Sequence, residues 1–93
     1  MILSYRDRDT EALDVHGVCH RRWRSFQAAA GRKLDMLNAA SVVSDLRSPP
    51  GNRLEKLSGD REGQWSIRIN DQWRICFRWD GSGPEDVEIV DYH

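Results

Sequence analysis

Two runs of alternating apolar and polar residues constrain the fold of this chain more than any other feature. Residues 65–69 and 73–79 each have the period of a half-buried β-strand. Because only Asn70-Asp71-Gln72 separates them, the two runs predict a β-hairpin. The apolar side of this hairpin carries Trp65, Ile67, Ile69, Trp73, Ile75, Phe77 and Trp79.

The register of the hairpin follows from its faces. Residues directly opposite each other in an antiparallel pair point to the same face of a sheet. A two-residue loop would set Ile69 against Gln72 and mix the apolar and polar faces. A three-residue loop sets Ile69 against Trp73, and then Ile67 faces Ile75 and Trp65 faces Phe77. Since a slip of one residue turns a whole face to water, we predict the three-residue loop.

The matched register sets two arginines against each other. Arg68 lies opposite Arg74, Ser66 lies opposite Cys76, and Arg78 lies farther along the same polar face. Like charges directly opposite on a sheet are destabilising, so this arrangement requires an anion nearby. Carboxylates of neighbouring strands, Glu55 or Asp91, are one candidate. A bound phosphate is the other, because guanidinium groups bind phosphate in a bidentate manner.

The remaining segments predict an α+β domain. Acidic residues before and within TEALDVH favour a short first helix that ends at Gly17. The spacing of Trp23, Phe26, Ala30, Leu34 and Leu37, extended by residues 43–46, predicts a second helix that ends before Pro49-Pro50-Gly51. Strands are predicted at residues 1–5, 53–57 and 86–92. The expected architecture is two N-terminal helices packed on one face of a small, mostly antiparallel sheet.

Size and composition narrow the class of protein. The chain has 93 residues, which suits one domain over residues 1–93. It contains no apolar run of the roughly 18 residues that a membrane-spanning helix requires, and its first residues do not resemble a signal peptide. Two cysteines are too few for a disulfide framework or a zinc site. We therefore expect a cytoplasmic protein without a membrane partner, a metal or another cofactor.

The net charge of −1 conceals an uneven distribution. Residues 1–19 carry two basic and four acidic side chains, and residues 80–93 carry five acidic ones and no basic one. Residues 20–79 carry twelve basic and six acidic side chains, a local charge of +6. A basic region of this kind can bind phosphate in a chain that is neutral overall, although a solvated mixed surface would show the same charges.

The sequence ends on Asp91-Tyr92-His93, directly after an apolar strand. Histidine titrates near neutral pH and is the usual general acid or base, and tyrosine offers a ring on which a nucleobase can stack. A terminal histidine is also compatible with a frayed surface residue. A pair of arginines on the adjoining sheet favours a role in catalysis.

Three runs of this sequence resemble the HigB branch of the RelE/ParE toxins, which belong to type II toxin–antitoxin modules. They are PPGNRLEKL followed by GDR (residues 49–61), GQWSIRINDQWRI (residues 63–75) and VEIVDYH (residues 87–93). The resemblance covers nearly the whole chain and is looser through residues 6–24. It implies two N-terminal helices on an antiparallel sheet, in agreement with the patterns above.

The resemblance implies a ribosome-dependent endoribonuclease that cleaves translated mRNA in the ribosomal A site and inhibits protein synthesis. It also implies a cognate HigA-type antitoxin with a helix-turn-helix fold. Arg74, Asp91, Tyr92 and His93 match the family's active-site positions, and we add Glu55 as a catalytic candidate. The basic residues that we expect to bind RNA are Arg53, Lys56, Arg61, Arg68 and Arg78.

Two positions depart from the family pattern. Glu55 stands where some members have histidine, and Ser58 stands where many have lysine, so that one phosphate-binding charge is lost. Two other functions stay open at this stage. One is a non-enzymatic gyrase poison, as in the ParE branch, and the other is a module of the same fold that binds RNA or protein, since fold alone does not determine function.

Overall fold

The computed structural model describes residues 1–91, and a four-stranded antiparallel sheet forms its centre. The strands follow one another in chain order across the sheet. The helices are α1 (Arg8–His16) and α2 (Gln27–Ala39), and the strands are β1 (Glu55–Lys56), β2 (Gln64–Arg68), β3 (Trp73–Arg78) and β4 (Glu85–Asp91). The predicted α+β architecture is confirmed.

The β2–β3 hairpin has the predicted register. Ile67 pairs with Ile75, Ser66 with Cys76 and Arg68 with Arg74. The side chain of Asn70 closes the loop by accepting hydrogen bonds from the backbone N–H groups of Gln72 (2.9 Å) and Trp73 (2.8 Å). The apolar face therefore meets the helices, and the arginine pair lies on the other face.

Helix α1 ends before Gly17 as its sequence predicts, but it begins at Arg8, two residues before the predicted run TEALDVH. Asp7 has extended backbone angles, and its carboxylate accepts a hydrogen bond from the N–H of Thr10 at 2.9 Å. Gly17 has a φ of 68°, the left-handed conformation that commonly ends a helix. Thr10 also binds the sheet, because its hydroxyl accepts a hydrogen bond from the N–H of Ile89 at 3.2 Å.

The prediction of one long second helix was wrong. Trp23 and Phe26 lie in a 3₁₀ segment, Arg21–Phe26, and helix α2 ends at Ala39. After Ala40 turns to an extended conformation, the Asp45 carboxylate accepts hydrogen bonds from the N–H groups of Ser41 (2.9 Å) and Val42 (3.2 Å). These local bonds start a separate 3₁₀ segment, Val43–Arg47, which competes with continuation of the helix.

Two of the predicted strands are shorter than expected. The strand predicted at residues 53–57 is reduced to β1, and residues 1–5 form only one bridge, between Tyr5 and Val87 in parallel orientation. Backbone hydrogen bonds from Leu3 N–H to Pro84 (2.8 Å) and from Arg6 N–H to Val87 (2.9 Å) hold this N-terminal segment against β4. The first and last parts of the described chain thus meet at one edge of the sheet.

The core lies between the helices and the sheet. Its fully buried side chains come mainly from the 3₁₀ segment Arg21–Phe26, from α2 and from the strands. They include Trp23, Leu34, Leu37, Ile67, Ile75 and Phe77. Within residues 1–91, no helix is long and apolar enough to cross a membrane.

Candidate active site

The face of the sheet that the helices do not cover is called here the polar face, and it contains Glu55, Ser66, Arg74, Cys76 and Glu88. Four of them form a row across the sheet, because Glu55 pairs with Ser66, Ser66 with Cys76 and Cys76 with Glu88. Arg74 lies in the neighbouring row, between Arg68 and Val90. Despite their polarity, Ser66 and Cys76 are fully buried, and Arg74 is only 8% exposed.

Neutral oxygen atoms hold the buried guanidinium of Arg74. Its Nε donates to the Ser66 hydroxyl at 2.8 Å, and its Nη2 donates to the backbone carbonyl of Arg53, also at 2.8 Å. A longer bond of 3.5 Å runs from Nη2 to the carbonyl of Ser66. These hydrogen bonds to neutral acceptors satisfy N–H groups of Nε and Nη2 without themselves adding a negative charge.

The Arg53 carbonyl reaches Arg74 because of the segment that precedes β1. Arg53 has a φ of 45° and a ψ of 55°, so its carbonyl turns away from the direction that an extended strand would give it. The neighbouring Asn52 is fully buried, and its amide donates to the carbonyls of Leu46 (3.1 Å) and Ser48 (3.4 Å). Lys33 of α2 donates to the Asn52 side-chain oxygen at 2.5 Å.

Burial lowers the pKa of Lys33, with further contributions from the positive charges of Arg32 and Arg68. The hydrogen bond from Lys33 to the buried Asn52 side chain fixes the segment that carries Arg53 to helix α2. This arrangement connects α2 to the surroundings of Arg74.

A carboxylate lies beside the Arg74 guanidinium at the edge of the sheet. The distance from Glu55 Oε1 to Arg74 Nη2 is 4.0 Å, the outer limit of an ion pair. The Glu55 side chain is 53% exposed and that of Arg74 only 10%, so the carboxylate lies at the mouth of the site and the guanidinium lies beneath it. A guanidinium with the chemistry to bind an anion and a carboxylate with the chemistry to accept a proton therefore lie side by side.

The two arginines of the hairpin turn to different partners. Arg68 forms an ion pair with Asp71 of the hairpin loop, and Arg74 extends toward β1 and Glu55. The sequence suggested Glu55 and Asp91 as carboxylates that balance the two arginines, and of these Glu55 lies near Arg74. Asp71 is the carboxylate that the pattern did not suggest.

The other predicted RNA-binding residues lie at several places around the sheet. Arg61 donates to Glu88 (2.8 Å) and to Gln64 (3.2 Å) on the polar face. Arg78 lies 3.7 Å from Asp86 near the far end of β3, and Arg53 is exposed. Lys56 pairs with Trp65 on the face of the sheet that the helices cover, and its Nζ lies 5.7 Å from the centroid of the Trp65 ring. Arg53, Arg61 and Arg68 thus lie around Arg74 or in the adjoining rows, whereas Lys56 and Arg78 lie farther away.

Of the three candidate residues at the C-terminus, the structure describes only Asp91. Asp91 pairs with Trp73 across β3 and β4, which puts it in a row of the helix-covered face, and its carboxylate accepts a hydrogen bond from Gln72 Nε2 at 2.9 Å. Tyr92 and His93 lie outside the described residues. Among residues 1–91, no three histidine, cysteine, aspartate or glutamate side chains are grouped so that they could share a metal ion.

Ser66 is the residue of this site to which the sequence pattern assigned no role. The register already contained a signal, because Ser66 is the diagonal neighbour of Arg74 on the same face. Diagonal neighbours lie about 7–8 Å apart between their Cα atoms, within reach of an arginine side chain. Cys76 is the serine's directly opposite partner, and burial raises the pKa of its thiol to about 11.

Comparison with known proteins identifies the family. The model of the HigB-like toxins, described as RelE-like toxins HigB of type II toxin–antitoxin systems, matches residues 4–93. Toxin HigB-1 of Vibrio cholerae is 44% identical over 80 residues, which cover 85% of this chain and 84% of that protein. The protein named endoribonuclease HigB from Proteus vulgaris is 33% identical over 93 residues, the full length of both chains.

A solved structure supports the same fold. A YoeB/ParE toxin from Agrobacterium tumefaciens superposes with a TM-score of 0.52 at 23% sequence identity, covering 99% of this chain and 96% of the other. At that identity the likeness concerns the fold alone. The family match and the two relatives go further: this chain belongs to the HigB family of RelE-like toxins from type II toxin–antitoxin systems.

Proposed function

We propose that this chain is a metal-independent endoribonuclease that cleaves translated mRNA on the ribosome in the cytoplasm and so inhibits protein synthesis. The observation that carries the proposal is the buried Arg74 guanidinium, held by neutral oxygens with the Glu55 carboxylate 4.0 Å away. The name of the Proteus vulgaris relative, endoribonuclease HigB, supports the same reaction.

The proposed reaction uses the RNA's own 2′-hydroxyl as the nucleophile. The 2′-oxygen forms a bond to the adjacent phosphorus while the bond from phosphorus to the 5′-oxygen breaks. A base takes the 2′ proton, and an acid gives a proton to the departing 5′-oxygen. The products are a 2′,3′-cyclic phosphate and a 5′-hydroxyl end. Negative charge accumulates on the phosphate oxygens during this step, so a fixed cation lowers the barrier.

Each residue of the site has a part in this step. Arg74 binds the phosphate, assisted by Arg68, and Glu55 and His93 share the transfer of protons. Tyr92 stacks on or positions the nucleotide, and Asp91 orients the groups that follow it in the chain. General acids and bases each contribute roughly a hundred- to ten-thousand-fold, so this small set needs the ribosome to orient the RNA.

The partners follow from the family and from the charges. A type II toxin has an antitoxin partner, and we propose that this antitoxin is a HigA-type helix-turn-helix protein. The RNA-binding residues of the proposal are Arg53, Lys56, Arg61, Arg68 and Arg78. They would bind the mRNA backbone next to the cleaved phosphate or the ribosome around it.

The test compares two substitutions of the same kind. Arg74→Lys keeps the positive charge but loses the fork of N–H groups, whereas Arg22→Lys changes an exposed arginine that pairs with Asp9 away from the site. We expect Arg74→Lys to lower mRNA cleavage on translating ribosomes by about a hundredfold or more, and Arg22→Lys to leave it unchanged. The measurement is mapping of new mRNA 5′ ends after induction, with translation active and with translation blocked.

Two outcomes would contradict the proposal. New 5′ ends that form equally well without translation would exclude dependence on the ribosome. Growth arrest by the wild-type and Arg74→Lys chains without new mRNA ends would instead favour the non-enzymatic gyrase poison.

A further inference from the structure

Ser66 is placed to control the direction of the Arg74 guanidinium. Its hydroxyl lies 2.8 Å from Arg74 Nε, and the contact is fully buried. The second close acceptor, the Arg53 carbonyl at 2.8 Å, binds the Nη2 group. Two acceptors on different atoms of a planar guanidinium define both its position and the orientation of its plane.

Control of this kind matters because arginine has a long and flexible side chain. A guanidinium without fixed partners samples many rotamers, and each must be given up when a phosphate binds. The Ser66 hydroxyl is held by the central strand β2, whose position is determined on both sides by β1 and β3. The contact therefore fixes the guanidinium before any ligand binds, and it leaves the charge intact because the acceptor is neutral.

We propose that Ser66 is a positioning residue: its hydroxyl, together with the Arg53 carbonyl, holds the Arg74 guanidinium in the orientation that binds the reacting phosphate. This inference rests on the proposed function for its role in catalysis. The positioning itself is a property of the folded chain, and it has a readout that needs no activity.

Cys76 provides a matched control. It lies directly opposite Ser66 in the same pair of strands, and both residues are fully buried. Among the residues that the structure describes, no hydrogen bond joins the Cys76 thiol to the Arg74 guanidinium. Ser66→Ala and Cys76→Ala therefore remove a similarly buried polar atom from one cross-strand pair, but only the first change removes a hydrogen-bond acceptor of Arg74.

The first measurement is the exchange of the Arg74 Nε proton with water, followed by NMR of arginine-labelled protein. Loss of one net hydrogen bond in Ser66→Ala is expected to accelerate this exchange by about tenfold, whereas Cys76→Ala leaves it close to the wild-type rate. Equal exchange in Ser66→Ala and wild type would overturn the proposal whether or not the chain is a nuclease.

The second measurement is the rate of mRNA cleavage over a range of concentrations of translating ribosomes, which gives kcat and KM for equal amounts of folded protein. A misplacement of about 1 Å can cost about a hundredfold in rate, so we expect Ser66→Ala to lower kcat by about ten- to a hundredfold with little change in KM. In the Arg74→Lys background the same serine substitution should have no further effect, since its partner is already lost. Additive losses would show that Ser66 acts independently of Arg74.

The combined results separate this inference from the proposed function. If Arg74→Lys loses activity and Ser66→Ala keeps it, the positioning role is wrong and the nuclease assignment stands. If the wild-type chain does not cleave RNA but Ser66→Ala still accelerates exchange at Nε, the nuclease assignment is wrong and the positioning of the guanidinium by Ser66 stands.

Discussion

Arg68 and Arg74 share one cross-strand pair but differ in their surroundings. Arg68 lies at the end of β2 beside an exposed aspartate of the hairpin loop, so its charge is largely screened by water. Arg74 lies beneath the surface, where it donates hydrogen bonds to neutral acceptors and the Glu55 carboxylate lies 4.0 Å away. A phosphate that reaches Arg74 therefore meets a charge that solvent screens much less, which is why the two residues have unequal roles in the proposed mechanism.

The buried thiol of Cys76 leads to a prediction about how the stability of the fold depends on pH. Burial raises its pKa from 9.0 to about 11, so between these values the folded chain keeps a proton that the unfolded chain releases. The stabilisation from this thiol is complete below pH 9 and is lost as the pH rises toward 11. The free energy of unfolding of the wild type is therefore expected to fall more steeply over this range than that of Cys76→Ala, as measured by urea denaturation.

Tyr5 also contributes to the pH dependence of the wild-type stability, so the wild type must be compared with Cys76→Ala. Burial and the neighbouring Asp14 carboxylate raise the pKa of Tyr5, so it too destabilises the fold at high pH. Both chains contain Tyr5, and the difference between them isolates the thiol. Parallel curves for wild type and Cys76→Ala would contradict the prediction.

At the scale of elements, the segment before β1 depends on Asn52. Its buried amide satisfies the carbonyls of Leu46 and Ser48, and its oxygen accepts the Lys33 hydrogen bond. In Asn52→Ala these groups lose their partner, and each unsatisfied buried group costs about 1–3 kcal/mol. We expect a loss of at least about 2 kcal/mol in urea denaturation, together with a lower cleavage rate because the Arg53 carbonyl is displaced.

Asn70→Ala is the corresponding control. Asn70 also binds two backbone groups, but in a hairpin loop where water can replace it, so its loss should cost about 1 kcal/mol or less. Equal losses for the two asparagines would show that burial of Asn52 is not what stabilises the segment.

The elements differ in how well their sequences predict them. The hairpin was predictable to the residue because alternation, loop length and facing pairs all depend on neighbours within a few positions. The length of the second helix was not, since Asp45 forms hydrogen bonds to the backbone of Ser41 and Val42 that no periodicity reveals. The burial of Arg74 was also missed, because it depends on a carbonyl 21 residues earlier in the chain.

At the scale of the whole molecule, a single core holds the helices against the sheet. Leu34 of α2 is 1% exposed within it, and truncation of a buried leucine costs about 2–5 kcal/mol. For a domain of this size, each kcal/mol lowers the Tm by about 4–8 °C, so Leu34→Ala should lower it by about 8 °C or more.

Leu3→Ala makes the same chemical change at a position that is 47% exposed. We expect it to change stability by no more than about 0.5 kcal/mol, with the Tm of both leucine variants measured by calorimetry. A similar shift in both variants would mean that the core does not dominate the stability of the fold.

The meeting of the N-terminal segment with β4 has a consequence for the time course of folding. The hydrogen bond from the N–H of Asp86 to the Ser4 hydroxyl joins residues 82 positions apart, and such distant pairings form late because a long loop must close first. During synthesis, residues 1–6 must wait for a partner strand that is translated after all the other strands. This edge of the sheet therefore stays open until β4 has been translated and can pair with the N-terminal segment.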